Sequence, residues 1–313
     1  MLWIFVGLFS VYLLITYVMF VVICKKVKNN KPLSVIHNAI EDALKPYEEK
    51  VKKGHSWVEE KRNEGRVEDI FILSEDGLKL HGILIKQENP KGVMVECHGY
   101  RSTAKGDLYP SCFEYYGWGY DLLLIDQRTT GGSEGDYITF GVKESKDVGK
   151  WCEYVSNHYE KKPIILAGIS MGATTVLLAT EYLRKEWLVK AIIADSGFIS
   201  AWNEVVYAIG HYFHLPGICF VGMIDCWCRL FAKFSLREKN TTMVLGKEMV
   251  PILFIHGKED DFVLKSNTEV NYMKYQGQKE LLLVDKASHG MSYMVDTSNY
   301  VKTVKDFIQK YGM

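Results

Sequence analysis

The sequence predicts an α/β fold: a doubly wound, mostly parallel sheet that follows an antiparallel hairpin, with a helical insertion and an apolar N-terminal helix. Short, almost purely apolar runs alternate with longer helical stretches, which is typical of strands buried on both faces and joined by crossover helices. An Asp-Gly turn separates two segments of alternating polarity, as in a β-hairpin. A charge-free segment of more than twenty residues precedes both features.

The hairpin is predicted at residues 67–74 and 79–86. The buried strands that follow are predicted at residues 93–97, 122–125, 164–167, 191–194, 252–255 and 281–284. Ligands bind at the carboxyl ends of the strands in such a sheet. Polar residues that can take part in catalysis follow several of these runs, so we expect a site at this edge.

The third buried run leads into Gly168-Ile169-Ser170-Met171-Gly172, a Gly-x-Ser-x-Gly pattern followed by a helix. The pattern arises by chance on the order of 0.1 times in a chain of this length, so its context decides its meaning. Its glycines would let strand and helix pack closely around a strained serine.

A serine hydroxyl also needs a base, and the base needs an acid that orients it. Asp260 and His289 follow Ser170 in the order that this architecture uses, each in a loop after a strand. We therefore predict Ser170 as nucleophile, His289 as base and Asp260 as orienting acid. Asp261, the neighbour of Asp260, stays open as an alternative acid.

Residues 66–313 resemble the α/β-hydrolases through the serine motif, "FIHGKEDDFV" around Asp260 and "ASHGMSY" around His289. More closely, the chain is similar to bacterial membrane-anchored α/β-hydrolases related to the prolyl-oligopeptidase-like and dienelactone-hydrolase-like branches. The resemblance implies the α/β-hydrolase fold and the Ser170, His289 and Asp260 roles. It also implies an oxyanion hole formed by the backbone N–H groups of Tyr100 and Met171.

The loop "DQRTTGGSEG" lacks a histidine that members of this family often carry there, a difference that concerns loop geometry rather than the triad. Asp126 and Arg128 in this loop are expected to form a buried pair that holds it. His98 is expected to hold the loop before Tyr100.

An insertion at about residues 198–250 is expected to form a cap over the serine. Its aromatic residues are Trp202, Tyr207, Tyr212, Phe213, Phe220, Trp227, Phe231 and Phe234. They would either line a site for an apolar acyl or aryl group or pack the cap onto the body. Cys226 and Cys228 would point to different faces of a helix, so no metal and no cofactor are expected.

Residues 1–24 are predicted to be a transmembrane anchor. The stretch from Leu2 to Cys24 has no charge, and as a helix it would be about 34 Å long. A signal peptide is the alternative, but no positive region precedes the stretch and no small-x-small cleavage site follows it. The lysines at 25, 26, 28 and 31 predict that the following chain lies in the cytoplasm.

Residues 25–65 are predicted to be a juxtamembrane linker, with some helix at 33–53, and residues 66–313 the hydrolase domain. The linker would rest against anionic headgroups or serve as a solvated spacer. Seven cysteines, an odd number with no disulfide or zinc spacing, indicate free thiols in a reducing compartment. Net charge is zero and no basic stripe is present, so nucleic-acid binding is not expected.

These observations predict a membrane-anchored serine hydrolase that cleaves carboxylic esters through an acyl-enzyme, with a small-molecule ester as substrate and membrane lipid as partner. One alternative is a peptidase or amidase for short peptides that uses the same triad. A second is an inactive hydrolase fold that serves as a membrane-tethered binding module.

Overall fold

The computed structural model of the protein describes residues 2–26, 42–245 and 250–312. The strands are β1 (Val67–Leu73), β2 (Lys79–Ile85), β3 (Gly92–Cys97), β4 (Tyr120–Asp126), β5 (Ile164–Ile169), β6 (Val189–Asp195), β7 (Ile252–Gly257) and β8 (Lys279–Val284). The helices of nine or more residues are α1 (Leu2–Cys24), α2 (Glu48–Asn63), α3 (Tyr109–Gly117), α4 (Glu144–His158), α5 (Met171–Ala179), α6 (Ala201–Phe213), α7 (Ile218–Trp227), α8 (Ser266–Lys274) and α9 (Thr297–Tyr311). A π-helical turn, Cys228–Ala232, continues α7.

The eight strands form one sheet in the order β1-β2-β4-β3-β5-β6-β7-β8. β1 pairs antiparallel with β2, and β2 pairs antiparallel with β4, whereas the pairs from β4 to β8 are parallel. The predicted fold class, a doubly wound sheet after an antiparallel hairpin, is therefore confirmed.

The central strands are buried on both faces. Successive residues of β3 point into opposite hydrophobic layers: Met94 joins one core cluster, and Val93 and Val95 join the other. Burying each such side chain stabilises the fold by about 1.5–3 kcal/mol. Because both layers must be apolar, these strands are short continuous apolar runs in the sequence rather than alternating ones.

Helix α2 packs on α3. Gly54 of α2 passes so close to α3 that a Cβ there would lie 2.2 Å from the carbonyl oxygen of Tyr109. Val58 is fully buried in the same contact. Of the helix expected at 33–53, the described part is helical from residue 42 through the 3-10 turn Lys45–Tyr47 into α2, which continues to Asn63, and residues 33–41 lie outside the described residues. The predicted domain boundaries stay a prediction.

Helix α1 is apolar, and its 23 residues make it long enough to cross a membrane, either as an anchor or as a signal sequence. On its C-terminal half, Thr16, Phe20 and Cys24 are buried against the body. The chain then pairs with the loop before α4, where Lys26 N donates to Asp136 O at 2.7 Å and Ile138 N donates to Cys24 O at 2.7 Å. The end of α1 is thus joined to the body by backbone hydrogen bonds.

Candidate active site

Ser170 occupies the turn between β5 and α5. Its φ is +57° and its ψ is −122°, a conformation that a residue other than glycine adopts only under constraint. A Cβ on Gly168 would lie 2.3 Å from the carbonyl oxygen of Gly172, and a Cβ on Gly172 would lie 2.1 Å from that of Cys97. Only glycine fits at these two positions, so strand and helix approach closely and hold Ser170 in the sharp turn.

His289 lies between Ser170 and Asp260. Its Nε2 is 2.7 Å from Ser170 Oγ, and its Nδ1 is 2.7 Å from Asp260 Oδ2. Because a carboxylate only accepts, Nδ1 carries a proton and donates it to Asp260, which leaves Nε2 of the neutral ring to accept from the serine hydroxyl. The structure brings together the three side chains predicted for catalysis, in an arrangement suited to general-base activation. Their catalytic roles stay predictions.

The Asp260 carboxyl is buried and hydrogen-bonded through both oxygens. Oδ1 accepts from the N–H groups of Phe262 and Val263 at 3.0 and 2.9 Å. Oδ2 faces His289 and also lies 3.1 Å from Nε2 of His256. Burial by itself would raise the pKa of this carboxyl, but His289 and His256 outweigh burial and hold the pKa below its usual value. Asp260 is therefore a carboxylate over the whole neutral range.

Asp261, which the sequence left open as the acid, is exposed. Its backbone carbonyl accepts from the Tyr207 hydroxyl at 2.6 Å. The structure therefore points Asp260, and not its neighbour, at the imidazole.

The loop after β3 crosses directly over Ser170. A Cβ on Gly99 would lie 3.2 Å from Ser170 Cβ, and the Gly99 N–H donates to Asp107 Oδ2 at 2.7 Å. Tyr100 is the next residue, and Met171 opens α5, so its N–H lies among those with no acceptor inside the helix. Of the two residues implied for the oxyanion hole, Met171 thus directly follows the serine, and Tyr100 directly follows the glycine that lies against it; their role stays a prediction.

His98 is fully buried beneath this loop. Its Nε2 accepts from the Gln127 N–H at 3.0 Å, which assigns the ring proton to Nδ1, where it is donated to Gly99 O at 2.7 Å. Thr130 Oγ1 also lies 2.9 Å from Nε2. His98 therefore connects the loops after β3 and β4, in agreement with the structural role expected of it.

Asp126 and Arg128 do not pair with each other, so that expectation is wrong. Asp126 Oδ2 lies 2.7 Å from His81 Nδ1, while Arg128 makes a bidentate contact with Asp147 at 2.7 Å and reaches Asp76 at 3.0 and 3.1 Å. Residues i and i+2 share a face only within an extended strand, and the strand ends at Asp126, whereas Arg128 lies in the turn that follows. Each still fixes the loop, through a different partner.

The cap contributes to the surroundings of the site through α6. The Phe262 ring lies 4.7 Å from the His289 ring, and Tyr212 of α6 lies 6.0 Å from Phe262. Glu204 of α6 is a further carboxyl near Asp260, and burial, followed by the charge of Asp260, raises the pKa of Glu204 to about 8. Sequence reasoning missed Phe262 and Glu204, because no motif marks a residue that reaches the site from a separate helix or loop.

The aromatic residues of the insertion form two groups, one near His289 and one in contact with α1. Tyr207 and Tyr212 belong to the region above His289. Phe220, Trp227 and Phe231 instead contact α1, through Tyr12, Tyr17 and Phe20. Much of the aromatic content that suggested a substrate pocket therefore packs the cap against the N-terminal helix.

The C-terminal end of α1 is hydrogen-bonded to the loop that carries Tyr100. The Tyr100 hydroxyl donates to Ile23 O at 2.7 Å, and Arg101 Nη2 donates to Val22 O at 2.6 Å and to Lys25 O at 3.1 Å. Arg101 Nε also donates to the Tyr100 hydroxyl at 2.8 Å. Arg101 thus satisfies carbonyls at the end of α1, which have no partner inside the helix.

Residues 2–26, 42–245 and 250–312 contain no group of histidine, cysteine and carboxylate side chains arranged to hold a metal ion. Cys228 is buried against Cys24, whereas Cys226 is exposed.

The sheet order, the serine turn and the helical insertion between β6 and β7 define the chain as an α/β-hydrolase by fold, as the resemblance implied. A family model described as Hydrolase_4, serine aminopeptidase S33, matches residues 88–215.

Two kinds of relative accompany that match. The chain is 29% identical over 239 residues to the uncharacterized protein YqkD of Bacillus subtilis (strain 168), covering 76% of this chain and 77% of YqkD. It is structurally similar to the Pyrococcus furiosus esterase Pf2001, with a TM-score of 0.65, 22% identity and coverage of 79% and 91%. Acetyl xylan esterase 1 from Thermoanaerobacterium sp. JW/SL YS485 is similar with a TM-score of 0.58, 17% identity and coverage of 78% and 83%. The two structural likenesses show the α/β-hydrolase fold.

Proposed function

We propose that the protein is a membrane-anchored serine hydrolase that cleaves carboxylic esters through a covalent acyl-enzyme. One observation carries the proposal: the continuous hydrogen-bond chain from Ser170 Oγ through His289 to Asp260, beginning at a strained turn at the end of a central strand. Strain of this kind concentrates at functional sites, and a structural serine would not require it.

In the proposed reaction, Ser170 Oγ attacks the ester carbonyl carbon while His289 Nε2 takes the hydroxyl proton. Asp260 stabilises the imidazolium that forms. The N–H groups of Tyr100 and Met171 donate to the developing oxyanion, and each such donor is worth about 3–4 kcal/mol. The carbonyl re-forms as the alcohol leaves with the proton from His289. A water molecule then attacks the acyl-enzyme by the same route and releases the acid.

Esters are the preferred substrate class because the region above His289 is largely aromatic. Phe262 and Tyr212 border it, and such a lining suits an acyl or aryl group. Helix α1 is proposed to anchor the enzyme in the membrane, with the catalytic domain on the cytoplasmic side. The basic residues Lys25 and Lys26 directly after the helix support that orientation.

A short-peptide peptidase is the second candidate, and Glu204 is the observation in its favour. A half-buried carboxyl near the site, with its pKa raised to about 8, would become a carboxylate if a substrate ammonium group bound beside it. The family model that matches residues 88–215 bears the description serine aminopeptidase, which agrees with this alternative.

Parallel assays of the full chain in detergent distinguish the candidates. Substrates are p-nitrophenyl esters of increasing chain length and aminoacyl p-nitroanilides, with the Ser170→Ala variant as control. We expect ester hydrolysis that Ser170→Ala abolishes, and little hydrolysis of anilides. Hydrolysis confined to anilides, and lost in Glu204→Gln, would reverse the order of the two candidates. Ester hydrolysis that persists in Ser170→Ala would reject the mechanism.

A further inference from the structure

The hairpin between α6 and α7 has an unusual surface. Residues 205–224, which form most of it, include no aspartate, glutamate, lysine or arginine. At its tip, Phe213, Leu215 and Ile218 have 42%, 37% and 64% of their surface exposed. Apart from the exposed His211 and His214, this projection is apolar. Exposed apolar surface costs free energy in water, and large apolar patches mark surfaces that bind something.

The hairpin lies along α1. The Tyr12 hydroxyl donates to Cys219 O at 2.7 Å, Trp227 Nε1 donates to Thr16 Oγ1 at 3.1 Å, and Cys24 lies against Cys228. Residue numbers rise together along the two segments, so α7 runs parallel to α1. The hairpin tip is therefore level with Tyr12, near the middle of α1.

The length of α1 relates this arrangement to a bilayer. Within the described helix α1, residues 2–11 extend beyond Tyr12, and ten helical residues are about 15 Å long. The hydrocarbon core of a bilayer is about 30 Å thick. The part of α1 that extends beyond the body is therefore too short to cross, and a crossing α1 must bring the hairpin tip into the lipid beside it.

The exposed basic residues of the two segments begin at the same level, just beyond the buried Asp225 of α7, which pairs with Arg229 at 2.8 Å. Cys24 and Cys228 are in contact, and the next residues are Lys25 on one segment and Arg229 on the other. Lys25, Lys26, Arg229 and Lys233 are all exposed. Basic side chains next to an apolar surface are suited to the anionic headgroup region, where they interact with phosphates.

We propose that the tip of the α6–α7 hairpin is a membrane-inserted surface, which enters the same lipid leaflet as the C-terminal half of α1. The proposal rests on the proposed role of α1 as a membrane anchor. The apolar tip would contact acyl chains, and the basic residues at the other end would contact headgroups. The partner is a lipid leaflet rather than a protein. The apolar tip lies level with the apolar part of α1, and the basic residues of the hairpin lie level with the lysines that follow α1, so both segments have the same apolar and basic zones.

The insertion has a consequence for the substrate. Helix α6 runs from the site, where Tyr207 donates to Asp261 O, to the tip at Phe213. The element that enters the leaflet thus also borders the region above His289. An ester that is itself dissolved in the leaflet, with an apolar chain and a polar head, would reach Ser170 along this helix without passing through water.

Depth-dependent fluorescence quenching tests the insertion. The full chain is reconstituted into phosphatidylcholine–phosphatidylglycerol vesicles that contain lipids with a nitroxide on the acyl chain. A thiol-reactive fluorophore is placed at the tip by Ile218→Cys, with the exposed Cys219 and Cys226 replaced by serine. Leu8→Cys on α1 and Met273→Cys on the exposed face of α8 are the matched controls.

We expect the fluorophore at positions 8 and 218 to be quenched severalfold, and the fluorophore at 273 to stay at its unquenched intensity. Quenching at 218 no stronger than at 273 would overturn the insertion, whether or not position 8 is quenched. The measurement does not depend on catalysis. A variant that still hydrolyses esters while position 218 stays unquenched would therefore reject the insertion and leave the hydrolase intact.

Discussion

The carboxyl edge of the sheet and the cap meet above Ser170, but different interactions hold them. At the sheet edge, backbone geometry holds the reactive side chains in place: Gly168 and Gly172 allow the strained turn, and Asp260 is fixed by two backbone N–H groups. In the cap, side-chain packing holds the helices in position, because Phe220 and Trp227 pack on α1. The positions of the reactive groups therefore depend on the body of the protein, whereas the position of the cap that covers them depends on the N-terminal helix.

The largest effect is expected at the sheet edge, from His289→Gln. The substitution removes the base but keeps a side chain of similar size, so kcat for a p-nitrophenyl ester should fall about a million-fold. The matched control is His158→Gln, on the exposed end of α4, which should change kcat less than twofold. Comparable activity in the two variants would mean that His289 is not the base.

Asp260→Asn should lower kcat about 10⁴-fold, because an amide no longer holds the proton on His289 Nδ1 or stabilises the imidazolium. Asp261→Asn changes the exposed neighbour and should leave kcat within twofold of the parent chain. Steady-state kinetics of the pair therefore tests which aspartate serves the imidazole. A larger loss in Asp261→Asn would reverse the assignment.

Arg101→Gln tests the link between the two regions. It removes the charged hydrogen bonds to Val22 O and Lys25 O, each worth about 1.5–3 kcal/mol, and loosens the loop that carries Tyr100. We expect kcat to fall about tenfold while KM for a short ester changes less than twofold, since the effect is on the oxyanion donor.

The control for this link is Arg237→Gln, which removes an arginine that lies over Trp202 within the cap. It should change kcat less than twofold. If Arg101→Gln kept full kcat in detergent and in vesicles, α1 would be an anchor with no influence on the oxyanion loop.

Glu96, which lies in β3 below the site, should affect stability rather than catalysis. Its Oε1 has no hydrogen-bond partner among the described residues, and burial raises the pKa of this carboxyl to about 8. The native state then binds the proton more tightly than the unfolded chain does. Stability should fall as pH rises between about 4.5 and 8, by up to roughly 1.4 kcal/mol per pH unit.

Glu96→Gln should remove this slope, whereas Glu88→Gln, at a highly exposed glutamate, should keep it. Denaturant unfolding in detergent at pH 5.5 and 7.5 measures both. An unchanged slope in Glu96→Gln would mean that Glu96 does not carry the raised pKa.

Sequence reasoning was most successful for the sheet. The alternating hairpin pattern and the six apolar runs predicted the eight strands of the described residues to within two residues at each end. The runs were readable because a strand buried on both faces has few alternatives. It also selected Ser170, His289 and Asp260, which the structure brings within hydrogen-bond distance. Motif spacing encodes such positions, because local backbone geometry places each residue at a strand end.

The rest depends on partners far apart in the chain. Nothing near Arg128 indicates Asp147 or Asp76 as its partner, and no local pattern brings Arg101 to the end of α1. The aromatic residues of the insertion left both a substrate lining and packing of the cap open, with packing favoured for most of them. Only the position of α1 beside α7 separates those that contact the helix from those near His289.

The central claim is that Ser170 is the nucleophile of an acyl-enzyme, and reaction with a fluorophosphonate tests it most directly. Intact mass and peptide mapping of the full chain should show one phosphonyl adduct, on Ser170. The adduct should be absent from Ser170→Ala and strongly slowed in His289→Gln. An adduct of equal yield in Ser170→Ala, or a parent chain that stays unlabelled while it hydrolyses esters, would contradict the account.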